Sequence, residues 1–348
     1  QLSVAGGRVA AVDPLAVTDV GAWWSIVADD DTTVVVHAGR QEVRFCLDAG
    51  VGRPRRLVDV QIAEGLRSRS FPLNHERLVQ RVIGKEVAGS QTRTDWQRRP
   101  LSDHQIAYAL DDVRYLLPVW EKQRIAFESL ERTSWAEAEF ERMIDEVESE
   151  RSPESWLRLS GLNRLNRRSL AVARELFNWR ESCGAELDQP VRRVLRDDLL
   201  IDVAKRQPKS EHELLATRDM NRRNFRRHAA TMVECVRRAL ALNEDDCPRR
   251  SKARDMHSDE HVLGQLLAIA LANRCAQMNV SPSLVGTGNE LKHLVRWHVF
   301  GERDGEPPRL SQGWRAELCG DLLTDVLDGK VKIRVADAGS DHPLVFEE

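Results

Sequence analysis

The chain has 348 residues, a net charge of −3 and a hydrophobic fraction of 41%, which suffices for packed cores in two or three domains. This composition excludes collagen-like and fully disordered chains, and no apolar run is long enough to predict a membrane span. Six scattered cysteines form no C-x-x-C pair. We therefore expect reduced cysteines in a cytoplasmic protein, without a zinc site or a disulfide framework.

The first part of the sequence predicts an α/β domain that ends near residue 130. Short apolar runs flank the turn Gly6-Gly7, a pattern typical of a β-hairpin. The sequence begins with Gln1, and no signal-peptide pattern follows, so we expect a chain shortened at its N-terminus. Further elements are predicted in order: strands over 32–36 and 57–59, and helices over 40–47, 61–66 and 78–83.

A long amphipathic helix is predicted from Ser102 to about Glu128. Ser102 and Gln105 have the spacing of a capping box, and apolar residues then recur at helical intervals. Tyr108 and Asp112 lie four residues apart in this helix, which places a phenol and a carboxylate on one face. A carboxylate is a ligand for a divalent cation, and a neighbouring phenol can orient a water molecule. By itself this spacing is common in helices that have no catalytic role.

Beyond residue 130 the chain is predicted to be helical, with an acidic connector over 131–155. Residues 129–155 carry nine acidic side chains and three arginines, which favours a solvated helix. Two all-α domains are predicted over 156–245 and 257–330, followed by a tail over 331–348 without a clear pattern. Residues 158–228 contain 17 arginine and lysine residues against 10 acidic ones.

Several motifs together resemble the ribonuclease D family of exonucleases. The resemblance runs over nearly the whole chain, in the order of the family's motifs. It rests on the segments His37-Ala-Gly-Arg-Gln-Glu42, Leu57-Val-Asp59-Val-Gln61, Thr92-Arg-Thr-Asp-Trp96, Arg99-Pro-Leu101, Tyr108-x-x-x-Asp112, Tyr115-Leu-Leu-Pro118 and Gly313-Trp-Arg-Ala-Glu-Leu318.

The resemblance implies a fold and an activity. The fold is an α/β ribonuclease H-like exonuclease domain, here without its first strand, followed by two all-α HRDC-like domains. The activity is 3′→5′ hydrolysis of structured RNA, such as tRNA precursors, to nucleoside 5′-monophosphates. Four carboxylates of the family hold two divalent ions, Mg²⁺ or Mn²⁺, which suit oxygen ligands. By this resemblance Asp112 and Glu42 are metal ligands, and Tyr108 orients the attacking water.

Two departures from the family pattern leave alternatives open. The family's Asp-x-Glu motif does not occur before Glu42, and we expect it in sequence upstream of Gln1. Glu42 stands where the family has Asp, so its carboxylate reaches further by one methylene; an ordinary surface role is the alternative. A catalytically impaired RNA-binding protein and a DNA 3′→5′ exonuclease therefore remain competing functions.

Further residues are assigned to the surroundings of the site. His37 and Asp59 are predicted to be adjacent to it, with a core role and a strand-end cap as their respective alternatives. Exposed arginines are expected to form a basic helical stripe that binds RNA phosphates, namely Arg222, Arg223, Arg226 and Arg227. RNA is the expected partner, and neither a membrane nor an obligate protein partner is indicated.

Overall fold

A computed structural model describes residues 1–87, 94–249, 259–303 and 305–347. Thr92 and Arg93 of the motif Thr92-Arg-Thr-Asp-Trp96 lie outside these residues. The chain divides into two compact units. Unit one contains Gln1–Glu148 together with the described residues from Asp259 onward, and unit two contains the described residues between them. In these described segments, no helix has the length and apolar character needed to cross a bilayer.

The predicted hairpin opens unit one. Its strands β1 and β2 pair antiparallel, with Leu2 opposite Ala10, and both turn residues Gly6 and Gly7 have positive φ angles of 88° and 78°. Because a side chain disfavours that conformation, the glycines allow the tight turn. The bounds of the first elements are β1 Leu2–Val4, β2 Arg8–Ala10 and helix α1 Gly21–Val27. The sequence analysis did not predict α1.

The next two strands are parallel and create the edge at which the site forms. Strand β3 covers Thr33–Val36 and β4 covers Arg56–Asp59, and their register pairs Val36 with Asp59. The carboxyl ends of both strands therefore meet at one edge, where helices begin. These helices, in agreement with the predicted positions, are α2 Arg40–Asp48, α3 Val60–Arg67 and α4 His75–Ile83.

The long predicted helix is in fact two helices. Helix α5 covers Asp103–Arg114 and α6 covers Leu116–Leu130, with Tyr115 between them. Pro118 lies in the first turn of α6, has no N–H to donate, and would clash with the carbonyl of Arg114 in a continuous helix. The prediction of one helix over 102–128 was wrong because it did not take into account that Pro118 interrupts a helix.

The acidic segment is helical as expected but is not a solvated connector. Helix α7, Thr133–Ser149, buries an apolar face that includes Trp135, Phe140 and Ile144 in the core of unit one. The prediction of a solvated connector was wrong because it rested on the net negative charge, whereas the acidic residues lie mostly on the face of α7 opposite the apolar one. Buried Glu139 is an exception, and Arg315 neutralises it.

Unit two is an all-α unit with its own core. Its helices pack around Leu176, Leu200 and Met232, which are fully buried. Its described residues, 149–249, include the range 156–245 that was predicted as the first helical domain. Its helices are α8 Arg167–Glu186, α9 Val191–Val194, α10 Asp197–Arg206, α11 Glu211–Leu215, α12 Arg223–Arg226 and α13 Ala229–Ala241.

The C-terminal helices share one core with the N-terminal α/β part. Leu267, Leu284 and Leu318 belong to the same buried cluster as Leu66 and Ile144. The segment predicted as a separate domain over 257–330 therefore packs inside unit one. The tail over 331–348 contains a hairpin that the sequence analysis missed. The elements are α14 Glu260–Gln277, α15 Pro282–Val285, α16 Gly288–His298, α17 Gly313–Cys319, α18 Leu322–Leu327, β5 Lys332–Val335 and β6 Leu344–Glu347.

Candidate active site

The site is built around the carboxyl ends of β3 and β4, and Asp59 organises its backbone. The Asp59 side chain is 2% exposed and its two oxygens accept four backbone N–H groups. They come from Ala38 at 3.2 Å, Gly39 at 2.8 Å, Gln61 at 2.8 Å and Ile62 at 3.4 Å. Asp59 therefore caps α3 and holds the loop before α2, which confirms the strand-end cap as its role.

The loop held by Asp59 has an unusual backbone. Ala38 adopts a left-handed conformation with φ at 57°, which costs free energy for a residue with a side chain. The Asp59 carboxylate stabilises it through the Ala38 N–H. This turn places His37 at the end of β3, where its Nε2 lies 2.9 Å from the carbonyl oxygen of Leu73.

Tyr108 and Asp112 form the second part of the site, on α5. The predicted capping box of Ser102 and Gln105 starts the helix. Burial raises the pKa of the Asp112 carboxyl, while a hydrogen bond from the Tyr108 side chain and the charge of His37 lower it. The Asp112 side chain remains 29% exposed. The expected i, i+4 pair is therefore formed, and its carboxylate is still accessible from solvent.

His75, at the start of α4, lies beside Asp112. Its Nδ1 is 3.9 Å from Oδ1 of Asp112, and its ring packs edge-on against His37 with centroids 5.7 Å apart. Burial and the neighbouring charge of His37 lower the pKa of His75 to about 4. The imidazole of His75 is therefore neutral at neutral pH.

Glu42 lies in the first turn of α2, near the same histidine. Burial raises the pKa of the Glu42 carboxyl and the charge of Asp59 raises it further, while a hydrogen bond from its own backbone N–H and the charge of His37 lower it. His37 thus lowers the pKa of both Glu42 and Asp112. The charge of His37 therefore influences both predicted ligands, although each belongs to a different helix.

The donor chemistry of these side chains fits a divalent cation in part. Carboxylate oxygens are the preferred ligands of Mg²⁺ and Mn²⁺, and the partly desolvated Asp112 would gain from a cation beside it. No three histidine, cysteine or acidic side chains converge into a metal-binding cluster within the described residues. Within the described residues, the carboxylates of Glu42 and Asp112 would therefore supply only part of a coordination sphere.

The predicted basic stripe is only a short exposed turn in unit two. Helix α12 has four residues, with Arg222 before it and Arg227 after it, so these arginines do not follow one long helix face. Arg222 pairs with Asp219 at 3.2 Å, and Arg226 donates to Asn221 at 2.8 Å. All four arginines are exposed. Phe225 between them is buried in the core.

Two neighbours of the site were missed by the sequence analysis. His75 follows Asn74, the N-cap of α4, but nothing in that local pattern links it to Asp112. Trp96 was named only as part of the motif Thr92-Arg-Thr-Asp-Trp96, whereas its ring centroid lies 6.1 Å from that of Tyr108. Because tertiary packing brings both side chains to the site, no local sequence pattern could predict their positions. Only their residue types, histidine and tryptophan, could have suggested a role in the site.

Comparisons with known proteins agree with this geometry. A family model for a 3′-5′ exonuclease matches residues 1–124, and a model for the HRDC domain matches residues 169–236. The first range contains β3, β4 and the Tyr108–Asp112 pair. The second lies within unit two and within the first predicted helical domain.

Relatives match most of the chain. Ribonuclease D from Desulfotalea psychrophila is 29% identical over 325 residues, which cover 92% of this chain and 86% of the relative. Ribonuclease D from Escherichia coli is 27% identical over 327 residues, with coverages of 92% and 86%.

The chain also resembles a solved structure. The crystal structure of Escherichia coli RNase D, described as an exoribonuclease involved in structured RNA processing, superposes with a TM-score of 0.75 at 28% identity. The match covers 91% of this chain and 84% of the Escherichia coli chain. The comparisons support the ribonuclease H-like fold of the exonuclease domain. Over most of its length the chain is therefore similar to ribonuclease D, and its sequence matches a 3′-5′ exonuclease domain followed by an HRDC domain.

Proposed function

We propose that this protein is a 3′→5′ exoribonuclease that trims structured RNA, such as tRNA precursors, and releases nucleoside 5′-monophosphates. The observation that supports it most is the hydrogen-bonded pair of Tyr108 and Asp112 beside the carboxyl ends of two parallel strands. Ligand sites of open α/β sheets commonly lie at such an edge. The name and described role of the Escherichia coli relative point to RNA as the substrate.

In the proposed reaction, water attacks the terminal phosphodiester and the bond from phosphorus to the 3′ oxygen breaks. Two divalent ions, Mg²⁺ or Mn²⁺, would activate the water and stabilise the leaving oxygen. Asp112 and Glu42 would help to hold them. Tyr108 orients the water, because a phenol with an ordinary pKa of about 10 is a poor base at neutral pH. Asp59 keeps Glu42 in place through the start of α2.

The basic turn around α12 would contact the body of the RNA. Arg222, Arg223, Arg226 and Arg227 are exposed, and cationic side chains bind phosphates without reading sequence. This assignment supports RNA binding but gives no base specificity.

A second candidate function is RNA binding without catalysis. Glu42 favours it, because it stands where the family has Asp and its added methylene moves the carboxylate. A DNA exonuclease is the remaining alternative. The three candidates are separated by incubating the protein, expressed from its complete gene, with matched RNA and DNA oligonucleotides and Mn²⁺. We expect mononucleotide release from RNA; binding without release would favour the second function, and faster release from DNA the third.

A further inference from the structure

A cavity of about 690 Å³ lies in unit one where helices α3 and α4 end. Arg69 follows α3, Arg81 lies in the last turn of α4, and Gln277 ends α14. Asp341 and His342, from the loop between β5 and β6, also line the cavity. The candidate active site lies where α3 and α4 begin, and α3 is about 12 Å long. The cavity is therefore separate from that site.

Two arginine side chains of this cavity have unused hydrogen-bond donors. Arg81 donates from Nε to Glu64 at 3.0 Å, and Arg69 donates from Nη2 to Asp341 at 3.2 Å. Neither guanidinium has another hydrogen-bond partner among the described residues. The Glu64 side chain is fully buried, so it holds Arg81 in place in the absence of a ligand. A guanidinium that is already held loses less conformational entropy on binding.

An anion can replace the carboxylate in the ion pair between Arg69 and Asp341. Both side chains are exposed, that of Asp341 by 82%, and such surface pairs contribute little free energy. The charged groups that line the cavity are two guanidiniums and this one displaceable carboxylate. Guanidinium groups bind phosphate through paired N–H donors. The chemistry of the cavity therefore favours a phosphate group over a cation.

The size and the other polar side chains of the cavity fit a whole nucleotide. Cavities of about 300–1,000 Å³ are typical of small-molecule sites. The side chains of Gln277 and His342 have no hydrogen-bond partner in the described part of the chain. Amide and imidazole groups can bond to ribose hydroxyls and to base edges.

We propose that this cavity is a second, non-catalytic nucleotide site, in which Arg69 and Arg81 bind the phosphate group. An internal nucleotide of RNA and a free nucleoside 5′-monophosphate both present this group, and the experiment separates these two sources. The choice of a nucleotide, rather than another phosphate compound, rests on the proposed function.

The test is ligand binding to the protein expressed from its complete gene, in buffer with EDTA so that no metal-dependent reaction occurs. Calorimetry measures adenosine 5′-monophosphate and inorganic phosphate, and fluorescence anisotropy measures an RNA oligonucleotide. We expect adenosine 5′-monophosphate to bind more tightly than inorganic phosphate. Arg69→Gln and Arg81→Gln should each weaken nucleotide binding by about tenfold or more, because a charged hydrogen-bond donor is lost. An equal loss in RNA binding would place an RNA nucleotide in the cavity, whereas unchanged RNA binding would assign the cavity to the free monophosphate.

Matched controls separate this site from general electrostatic attraction. Arg77→Gln removes an exposed arginine of α4 that does not line the cavity, and it should change the affinity by less than about twofold. Asp341→Asn removes the competing carboxylate and should tighten nucleotide binding, whereas Asp337→Asn in the same loop should not. Thermal unfolding checks that each variant is folded. Asp341→Asn keeps both arginines, so it tests the proposal even if an arginine variant is unstable.

The outcomes separate this inference from the proposed function. Nucleotide and RNA affinities that neither Arg69→Gln nor Arg81→Gln changes would overturn the second site. Nucleotide binding that responds to Asp112→Asn instead would place the ligand in the candidate active site and overturn it as well. Inorganic phosphate that binds as tightly as adenosine 5′-monophosphate would overturn the assignment to a nucleotide. None of these results bears on hydrolysis, which the release of mononucleotides in the presence of Mn²⁺ tests.

Discussion

The carboxylate of Asp59 accepts the backbone N–H of Gly39 at 2.8 Å, and this contact fixes where helix α2 begins. The same carboxylate caps α3 through Gln61. One buried side chain thus orients both helices that follow the parallel strands. Because Glu42 lies in the first turn of α2, its position depends on Asp59.

Asp59→Asn should destabilise the fold at this point. In this variant an NH₂ group, which cannot accept a hydrogen bond, replaces one carboxylate oxygen, so backbone N–H donors lose their acceptor. We expect this loss to lower the free energy of unfolding by about 2–4 kcal/mol. Urea unfolding followed by fluorescence measures the change. Asp30→Asn is the control, since that side chain is 88% exposed. An equal effect of the two substitutions would contradict the role given to Asp59.

Gly39→Ala should be destabilising for a steric reason. An added methyl group would lie 2.2 Å from Cγ2 of Val36, so the start of α2 must shift. We expect a loss of about 1–3 kcal/mol in the free energy of unfolding. Gly288→Ala, where an added methyl group meets no atom within 4 Å, should leave stability unchanged or raise it. Thermal unfolding of both variants checks the contrast, and tolerance of Gly39→Ala would refute the close contact.

A buried ion pair joins α7 to α17. Arg315 donates to Glu139 at 2.8 Å, and the Glu139 side chain is fully buried. Glu139→Gln leaves the guanidinium without a counter-charge, so we expect a loss of about 3–5 kcal/mol in the free energy of unfolding. Glu137→Gln, on the exposed face of the same helix, is the control.

The same pair predicts acid sensitivity. Burial alone would raise the pKa of Glu139, but Arg142 and Arg315 lower it overall. The folded state therefore binds a proton less readily than the unfolded chain. The stabilisation is complete above the ordinary glutamate pKa of 4.5 and is lost as the pH falls through the lower folded-state value. The difference in the free energy of unfolding between the wild type and Glu139→Gln should narrow as the pH falls from 7 to 3; a constant difference would contradict this.

The arginines of the α12 turn should contribute to the salt dependence of RNA binding. Replacing Arg222, Arg223, Arg226 and Arg227 by Gln removes four cations, which we expect to flatten the slope of log K against log salt by up to about 3 units. Arg237→Gln with Arg238→Gln is a control on α13, where both arginines pair with glutamates. Filter binding of RNA over a salt series measures the slopes. An unchanged slope in the fourfold variant would place the RNA surface elsewhere.

Local spacing predicted part of this structure, and tertiary packing determined the rest. The capping box at Ser102 and the i, i+4 relation of Tyr108 and Asp112 are local, so the sequence was sufficient for both. The break at Tyr115 depends on Pro118, whose effect on the helix was not weighed. The acidic helix α7 was assigned to solvent because its charge outweighed its apolar face. His75 reaches Asp112 only through the packing of α4, which no local pattern encodes.

The central claim is that Asp112 and Tyr108 serve an exonuclease in different roles. The most direct measurement is the rate of mononucleotide release from a 3′-hydroxyl RNA across a Mn²⁺ titration, with the protein expressed from its complete gene. We predict that Tyr108→Phe slows release by about 10²–10⁴-fold and leaves the dependence on Mn²⁺ unchanged. Asp112→Asn should slow release at least as much and should require more Mn²⁺. Glu42→Asp should preserve or raise the rate. An Asp112→Asn variant with the wild-type rate and the wild-type Mn²⁺ dependence would contradict the account.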